Sequence, residues 1–222
     1  MSSRPSVAAV MSRLRGARRP TSPEELAKHE LLTALRARHP KFLEAVVEDA
    51  RLAARYRSER YRFRSTADAL VQALRIACVS DSFLAQCAYR AKARCQALGI
   101  PVLPAICHRI AVSQGQLAIG DPVVIEAGIY IPHGQVVIDG FTDIHRGVTI
   151  APFVSIGLVD LAHRGPIVMD RASIGTGARV LGPVVIGENA KVGANSVVIH
   201  DVPPGATAVG SPARVVRQAE TA

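Results

Sequence analysis

No apolar run in this chain of 222 residues reaches the roughly 18 to 20 residues that a membrane span needs, because Arg, Asp or Gln interrupts every candidate. A transmembrane segment is therefore excluded at the level of sequence. The first twenty residues hold five arginines and no acid, and they lack the long apolar centre of a secretory signal. They read as a basic, disordered extension covering residues 1 to 22. Cysteine is equally uninformative as a framework: Cys78, Cys87, Cys95 and Cys107 form no C-x-x-C pair and have no closely spaced histidine. Buried free thiols in a reducing, cytoplasmic setting are expected, with no metal bound.

Glycine is almost absent from one half and abundant in the other. Residues 1 to 110 carry two glycines and 20 Lys plus Arg against 9 acids; residues 111 to 222 carry fifteen glycines and 7 against 9. With half of all residues hydrophobic, at 49%, the chain can bury a substantial core. The first half reads as helical. "SPEELAKHELLTALRARHP" opens with Ser22 as a cap and Pro23 in the first turn, and closes at Pro40. "KFLEAVVEDARLAARYRSERYRF" and "TADALVQALRIACVSDSFLAQCAYRAKARCQALG" follow with apolar residues at three- and four-residue steps, the second running to Gly99. The arginines spread over several helices with few aromatics between them. That pattern predicts a solvated surface attractive to an anionic cofactor rather than a nucleic-acid interface.

The second half repeats every six residues. Aliphatic side chains recur at Ile119, Ile125 and Ile131, then at Ile138, Ile144, Ile150 and Ile156, and then at Val168, Ile174, Val180, Ile186, Val192 and Val198. Each unit supplies one inward apolar side chain, a corner often bearing glycine, and a small residue four places after the first. Such a unit cannot bury its own face and must stack on copies of itself. Three units closing one coil predict a parallel β-helix; the strands lie too close in sequence for helical crossovers, so a doubly wound sheet is excluded. The expected division is a helical domain over 23–110, a coil domain over 111–204, and an exit segment and tail over 205–222.

The segment "IPHGQVVI", the repeat itself and the tail "VVIHDVPPGATAVGSPARVV" resemble the hexapeptide-repeat acyltransferases, and within them the serine O-acetyltransferases, which also carry an N-terminal helical domain. The resemblance implies an α+β chain whose N-terminal α-helical domain precedes a left-handed parallel β-helix of hexapeptide repeats. It implies a homotrimer, with helical domains able to pair two trimers, and acetyl-CoA as co-substrate. The chemistry implied is acetyl transfer to L-serine, the first step of cysteine biosynthesis; another small hydroxylated metabolite or sugar as acceptor, or a scaffold without catalysis, stays open.

His133 is the implied catalytic base. The step from Ile131 to Ile138 is seven residues where the neighbouring steps are six, so a corner just after His133 must absorb one extra residue and present that side chain outward. The resemblance places acyl-CoA along neighbouring coils near Gly157, Gly175, Gly177 and Ala178, with Lys191, Gly193, Gly210 and Arg214 toward its nucleotide end. Arg164 is the implied partner of the acceptor carboxylate, with His163 beside it and Asp81 as the carboxylate for the acceptor ammonium. Two departures stand out. The family's orienting aspartate falls on Ala118, leaving Asp121 or Asp139 as substitutes, and "DLAHRGPI" reverses the expected Arg-His order. The twelve residues from Ile156 to Val168 read either as a substrate loop or as two further sides with Ala162 inward. His145 and His200 read as exposed turn residues. The family's docking of a sulfhydrylase uses a C-terminal isoleucine, and since this chain ends "RQAETA" that partner is not expected.

Overall fold

The structure, a computed structural model, describes residues 23–159 and 165–217. Five helices come first: α1 (Pro23–Ala37), α2 (Phe42–Tyr56), α3 (Thr66–Val79), α4 (Asp81–Ala97) and α5 (Leu103–Gly115). The expected continuous helix to Gly99 is broken after Val79. Ser80 takes extended backbone, and its hydroxyl accepts from the Phe83 N–H at 3.4 Å, capping α4 as Ser65 caps α3. Helix α5 was not foreseen, and it carries the helical part five residues past the expected boundary at 110, to Gly115. The core of this half is made of small residues. Ala50, Ala53, Ala54 and Ala73 pack around Val46, Ile76 and Phe83, so the helices approach closely.

Past Gln116 the chain winds into three sheets. The first holds β1 (Leu117–Ile119), β3 (Val136–Ile138), β6 (Ser155–Gly157), β9 (Arg179–Leu181) and β12 (Val197–Val198). The second holds β2 (Val124–Ile125), β4 (Asp143–Ile144), β7 (Ile167–Val168) and β10 (Val185–Ile186). The third holds β5 (Thr149–Ile150), β8 (Ser173–Ile174), β11 (Lys191–Val192), β13 (Thr207–Gly210) and β14 (Ala213–Arg217). Neighbours within each sheet are parallel, except that β14 turns back antiparallel on β13. Successive strands pass from first to second to third sheet and round again, so the chain coils around a three-sided core. All thirteen six-fold positions are buried, none more than 3% exposed. The small residue four places on is buried too, as at Ala172, Ala178, Ala190 and Ser196. Each unit therefore contributes two inward side chains, not one, flanking each corner from inside. Burying each isoleucine contributes about 1.5 to 3 kcal/mol.

The register resolves the segment from Ile156 to Val168. β7 lies in the second sheet between β4 and β10, so only one corner separates it from β6. The two-sides reading is thereby overturned: this corner, between the first and second sheets, has six more residues in sequence than a regular one, and Ala162 itself lies outside the described residues.

Helix α4 covers the open end of the first coil. Its polar side chains reach carbonyls that no preceding coil is there to engage: Ser82 to Pro132 at 2.9 Å, Gln86 to Ile129 at 3.3 Å, Tyr89 to Val123 at 3.2 Å, and Lys92 to Ile119 at 2.7 Å. Arg90 donates to Ile125 and Glu126 and forms a two-bond pair with Asp49 of α2, whose carboxylate accepts from the Gly128 and Ile129 N–H groups. Arg90 and Lys92 are 3% and 4% exposed, against the solvated surface expected of these helices.

Candidate active site

His133 stands where the period slips. Tyr130 pairs with Thr149 in the third sheet and Ile138 with Ile156 in the first, so seven residues on one coil span what six span on the next. The left-handed residue that other corners carry three places after the inward aliphatic, as at Phe153 and Asn195, comes four places after it here, at Gln135 with φ 63°, so the surplus residue lies between Ile131 and Gln135, where His133 is exposed. Gly134 is demanded by packing. A Cβ there would lie 1.7 Å from the Gly115 carbonyl oxygen, so the end of α5 and the His133 corner touch backbone to backbone.

This corner forms one wall of a cleft of about 580 Å³. The other walls are Asp81 and Ser82 at the start of α4, Arg57, the end of α5, and Phe153 on the coil below. The structure thus brings Asp81 and His133, 52 residues apart in sequence, to one cleft. Phe153 was missed. Its φ of 64° is unusual for a bulky residue and leaves the ring 57% exposed at the cleft. Neither substitute for the family's aspartate lines the cleft: Asp121 pairs with Lys92 at 2.7 Å, and the Asp139 carboxylate accepts from the Gly140 N–H at 2.7 Å. Ala118 lies mid-strand opposite Val137.

Below His133, the same edge continues down the coils. Gly177 donates to the Pro152 carbonyl at 2.9 Å and Asn195 to Thr176 at 2.8 Å, so Gly175, Gly177 and Gly193 stack beneath the Pro152–Phe153 corner. Their glycine character is set by that stacking, since a Cβ on Gly175 would meet the Val192 oxygen at 2.7 Å and one on Gly177 the Asn195 side chain at 2.1 Å. Lys191 projects from the third sheet into solvent, and Arg214 is exposed on β14 next to the Gly210 turn. Two expected cofactor contacts are not brought to this edge. Ala178 is wholly buried with its side chain inside the coil, and Gly157 ends β6 at the opposite edge of the first sheet. His163 and Arg164 lie outside the described residues; Val159 and Gly165, which flank them, belong to the Gly157 corner.

His200 is exposed, as expected, but His145 sits within an acidic cluster. The thiols are free; Cys95 and Cys107 are buried, while Cys78 is exposed rather than buried. Burial pushes the Cys87 thiol up to about 12, so it stays protonated. Among the described residues no helix is long and apolar enough to cross a membrane.

Residues 165–200 match the family model described as bacterial transferase hexapeptide (six repeats). Over 104 residues the chain is 41% identical to a serine acetyltransferase of Mycobacterium tuberculosis, covering 44% of each chain. Over 92 residues it is 46% identical to that of Bacillus subtilis, covering 40% of this chain and 42% of the other. The chain thus spans less than half the length of these two curated relatives. Among solved structures it is similar to a serine acetyltransferase in complex with cysteine, with TM-score 0.68 and 25% identity over 94% of this chain and 84% of that one. A serine acetyltransferase in complex with CoA gives TM-score 0.65 and 26% identity over 94% and 83%. Repeat, fold and relatives agree: part of the coil matches a hexapeptide transferase model, and the chain is similar to serine acetyltransferases in sequence over less than half its length and in fold over most of it.

Proposed function

We propose that this chain is an acetyl-CoA-dependent serine O-acetyltransferase, with its coils wound left-handed as in the family and His133 as the general base. The observation that carries the reading is the exposed His133 on a slipped corner, facing a cleft that also holds Asp81. An imidazole exchanges protons near neutral pH. His133 takes the proton from the serine hydroxyl as its oxygen attacks the thioester carbonyl of acetyl-CoA. The tetrahedral intermediate then collapses, the C–S bond breaks, and the proton passes to the departing thiolate, giving O-acetylserine and CoA. Among the described residues the N–H groups of Gly134 and Gln135 donate to no protein acceptor, which leaves them for the oxyanion. Asp81 meets the acceptor ammonium and Arg164 its carboxylate, through a guanidinium fork.

This assignment requires more than one chain. His133 stands at one edge of the first sheet, whereas Val159 and Gly165, which flank Arg164 in sequence, belong to the opposite edge. A homotrimer that sets the His133 edge of one coil beside the Gly157 edge of the next would complete the site, with acetyl-CoA along the Gly175 and Gly193 corners. Part of the outward face between the edges supports such packing, since Ala118, Val137 and Val197 are small or apolar and Val137 is 48% exposed, while Ser155 and the exposed Arg179 between them are polar. The product, O-acetylserine, fits a place in cysteine synthesis.

The test is steady-state turnover of acetyl-CoA with L-serine by the whole protein and by His133→Ala. The variant should lose about 10² to 10⁴ in kcat with acetyl-CoA affinity nearly unchanged. A variant with normal kcat removes His133 from the mechanism, and a wild type that acetylates serine methyl ester as well as serine removes Arg164 and the serine assignment together.

A further inference from the structure

We propose that Glu126, His145 and Asp170 form a binding site for a divalent transition-metal ion of the zinc type, on an edge of the coil that catalysis does not use. Glu126 follows β2, His145 follows β4 and Asp170 follows β7, so the three come from successive strands of the second sheet, at its corner with the third. The ladder brings together residues 19 and 25 apart in sequence. His145 Nδ1 lies 3.4 Å from Asp170 Oδ1 and 3.9 Å from Glu126 Oε1, and the three donor atoms all fall within 4.8 Å of one another. Ligands about 2.0 to 2.2 Å from a tetrahedral ion stand about 3.4 Å apart, so small rotamer adjustments suffice.

A second feature sets this group apart from a chance meeting of charges. The other oxygen of Glu126 is already held: the Arg146 backbone N–H donates to Oε2 at 3.2 Å, and Arg146 Nε lies 3.6 Å from the same atom. That leaves Oε1 turned to the imidazole, the outer contact that orients a ligating carboxylate. The His145 backbone is fixed in turn by its N–H to the Val168 carbonyl at 2.9 Å. Charge permits a cation. Glu126 and Asp170 bring two negative charges against Arg146, while the nearby Arg171 is neutralised by Glu188 and bonds Asn189 at 3.0 Å.

The donor set selects the ion. An imidazole nitrogen with two carboxylates suits zinc and its first-row neighbours, whereas magnesium and calcium prefer oxygen alone. Three protein ligands leave a position for water, and all three groups remain partly exposed, so exchange is open. An ion here would tie three successive coils together.

Titration calorimetry of the full chain, stripped with chelator and dialysed, with Zn²⁺ and then with Co²⁺ as an absorbing probe, tests the site. One ion per chain is expected, with a rise in the unfolding midpoint on adding Zn²⁺. Loss of an outer contact typically costs about 10- to 100-fold in affinity, so loss of a direct ligand in His145→Ala should cost at least about 100-fold. Asp170→Asn and Glu126→Gln keep shape and separate ligation from folding; each should weaken binding while its far-ultraviolet circular dichroism matches wild type. Absence of binding at 100 µM-scale Zn²⁺, about the weakest affinity a built site should show, overturns the proposal. So does undiminished binding in the Glu126→Gln, Asp170→Asn double variant, which would place the ion on the thiols or another surface.

Discussion

The two halves of the molecule satisfy their buried polar groups in opposite ways. Within the coils each strand donates to the next, side chains contribute aliphatic bulk, and among the described residues the buried polar side chains number two, Thr142 and Ser196. At the junction with the helices, backbone carbonyls of the first coil meet side chains instead, from a helix whose covering face holds Ser82, Gln86, Tyr89, Arg90 and Lys92. Repetition solves the interior of a stack but never its first layer, where each unpaired carbonyl costs about 1 to 3 kcal/mol if left buried and bare. The helical half acts on the coil as a cap, and its buried Arg90 and Lys92 serve that end.

The strongest way to break this comparison is to remove the cap's central pair. Asp49→Ala leaves the Arg90 guanidinium, 3% exposed, without its counter-charge and strips the Gly128 and Ile129 N–H groups of their acceptor. Breaking a buried pair from one side costs about 3 to 5 kcal/mol. Urea denaturation should show that loss, and a change below about 1 kcal/mol would mean the cap is dispensable. The coil's counterpart is Ile150→Ala, in the middle of the stack and wholly buried. It should cost about 2 to 5 kcal/mol through lost transfer energy and a cavity that neighbouring coils cannot close.

What was legible in the sequence follows the same division. A strict period announces itself, so the inward isoleucines, the coil and the outward His133 at the slip could all be read from spacing. The cap could not. Arg90 and Lys92 look like any surface cations until the first coil is placed beneath them, and the break between α3 and α4 depends on one serine cap inside a run of good helix formers. The twelve-residue step after Ile156 fits two sides or a loop equally well, and only the pairing of β7 with β4 decides. Glu126, His145 and Asp170 carry no motif, because their meeting depends on how coils of unequal length stack.

A smaller effect sharpens the role of the junction in pH dependence. His39 follows α1 and packs edge-on against Tyr89, ring centroids 6.3 Å apart, and burial with the charges of Arg90, Lys92, Arg38 and Arg36 lowers its pKa from 6.5 to about 4. Between those values the unfolded chain binds the proton and the folded one does not. Stability from this residue is therefore present above about 6.5 and lost as pH falls toward 4. Between pH 7.5 and 5 the loss should be about 2 kcal/mol. His39→Gln, which cannot take up the proton, should flatten the dependence in that window. An unchanged slope would assign it to other groups, such as His108, whose pKa burial and the charge of Lys92 also lower.

The smallest expected effect tests the slip itself. Gln135 holds φ 63° without the freedom of glycine, a conformation that costs a side chain about 1 to 2 kcal/mol. Gln135→Gly removes that strain, but it also loosens the unfolded chain by about 0.4 to 1 kcal/mol. The two terms nearly cancel, so stability should move by less than about 1 kcal/mol. If Gln135 only closes the corner, kcat should hold as well, because the contact of Gly134 with the Gly115 carbonyl still fixes it. A large fall in kcat with stability unchanged would mean that the Gln135 side chain, exposed at the cleft beside His133, acts on substrate. The corner would then present two functional residues, and the seventh residue of this coil would be there to place both.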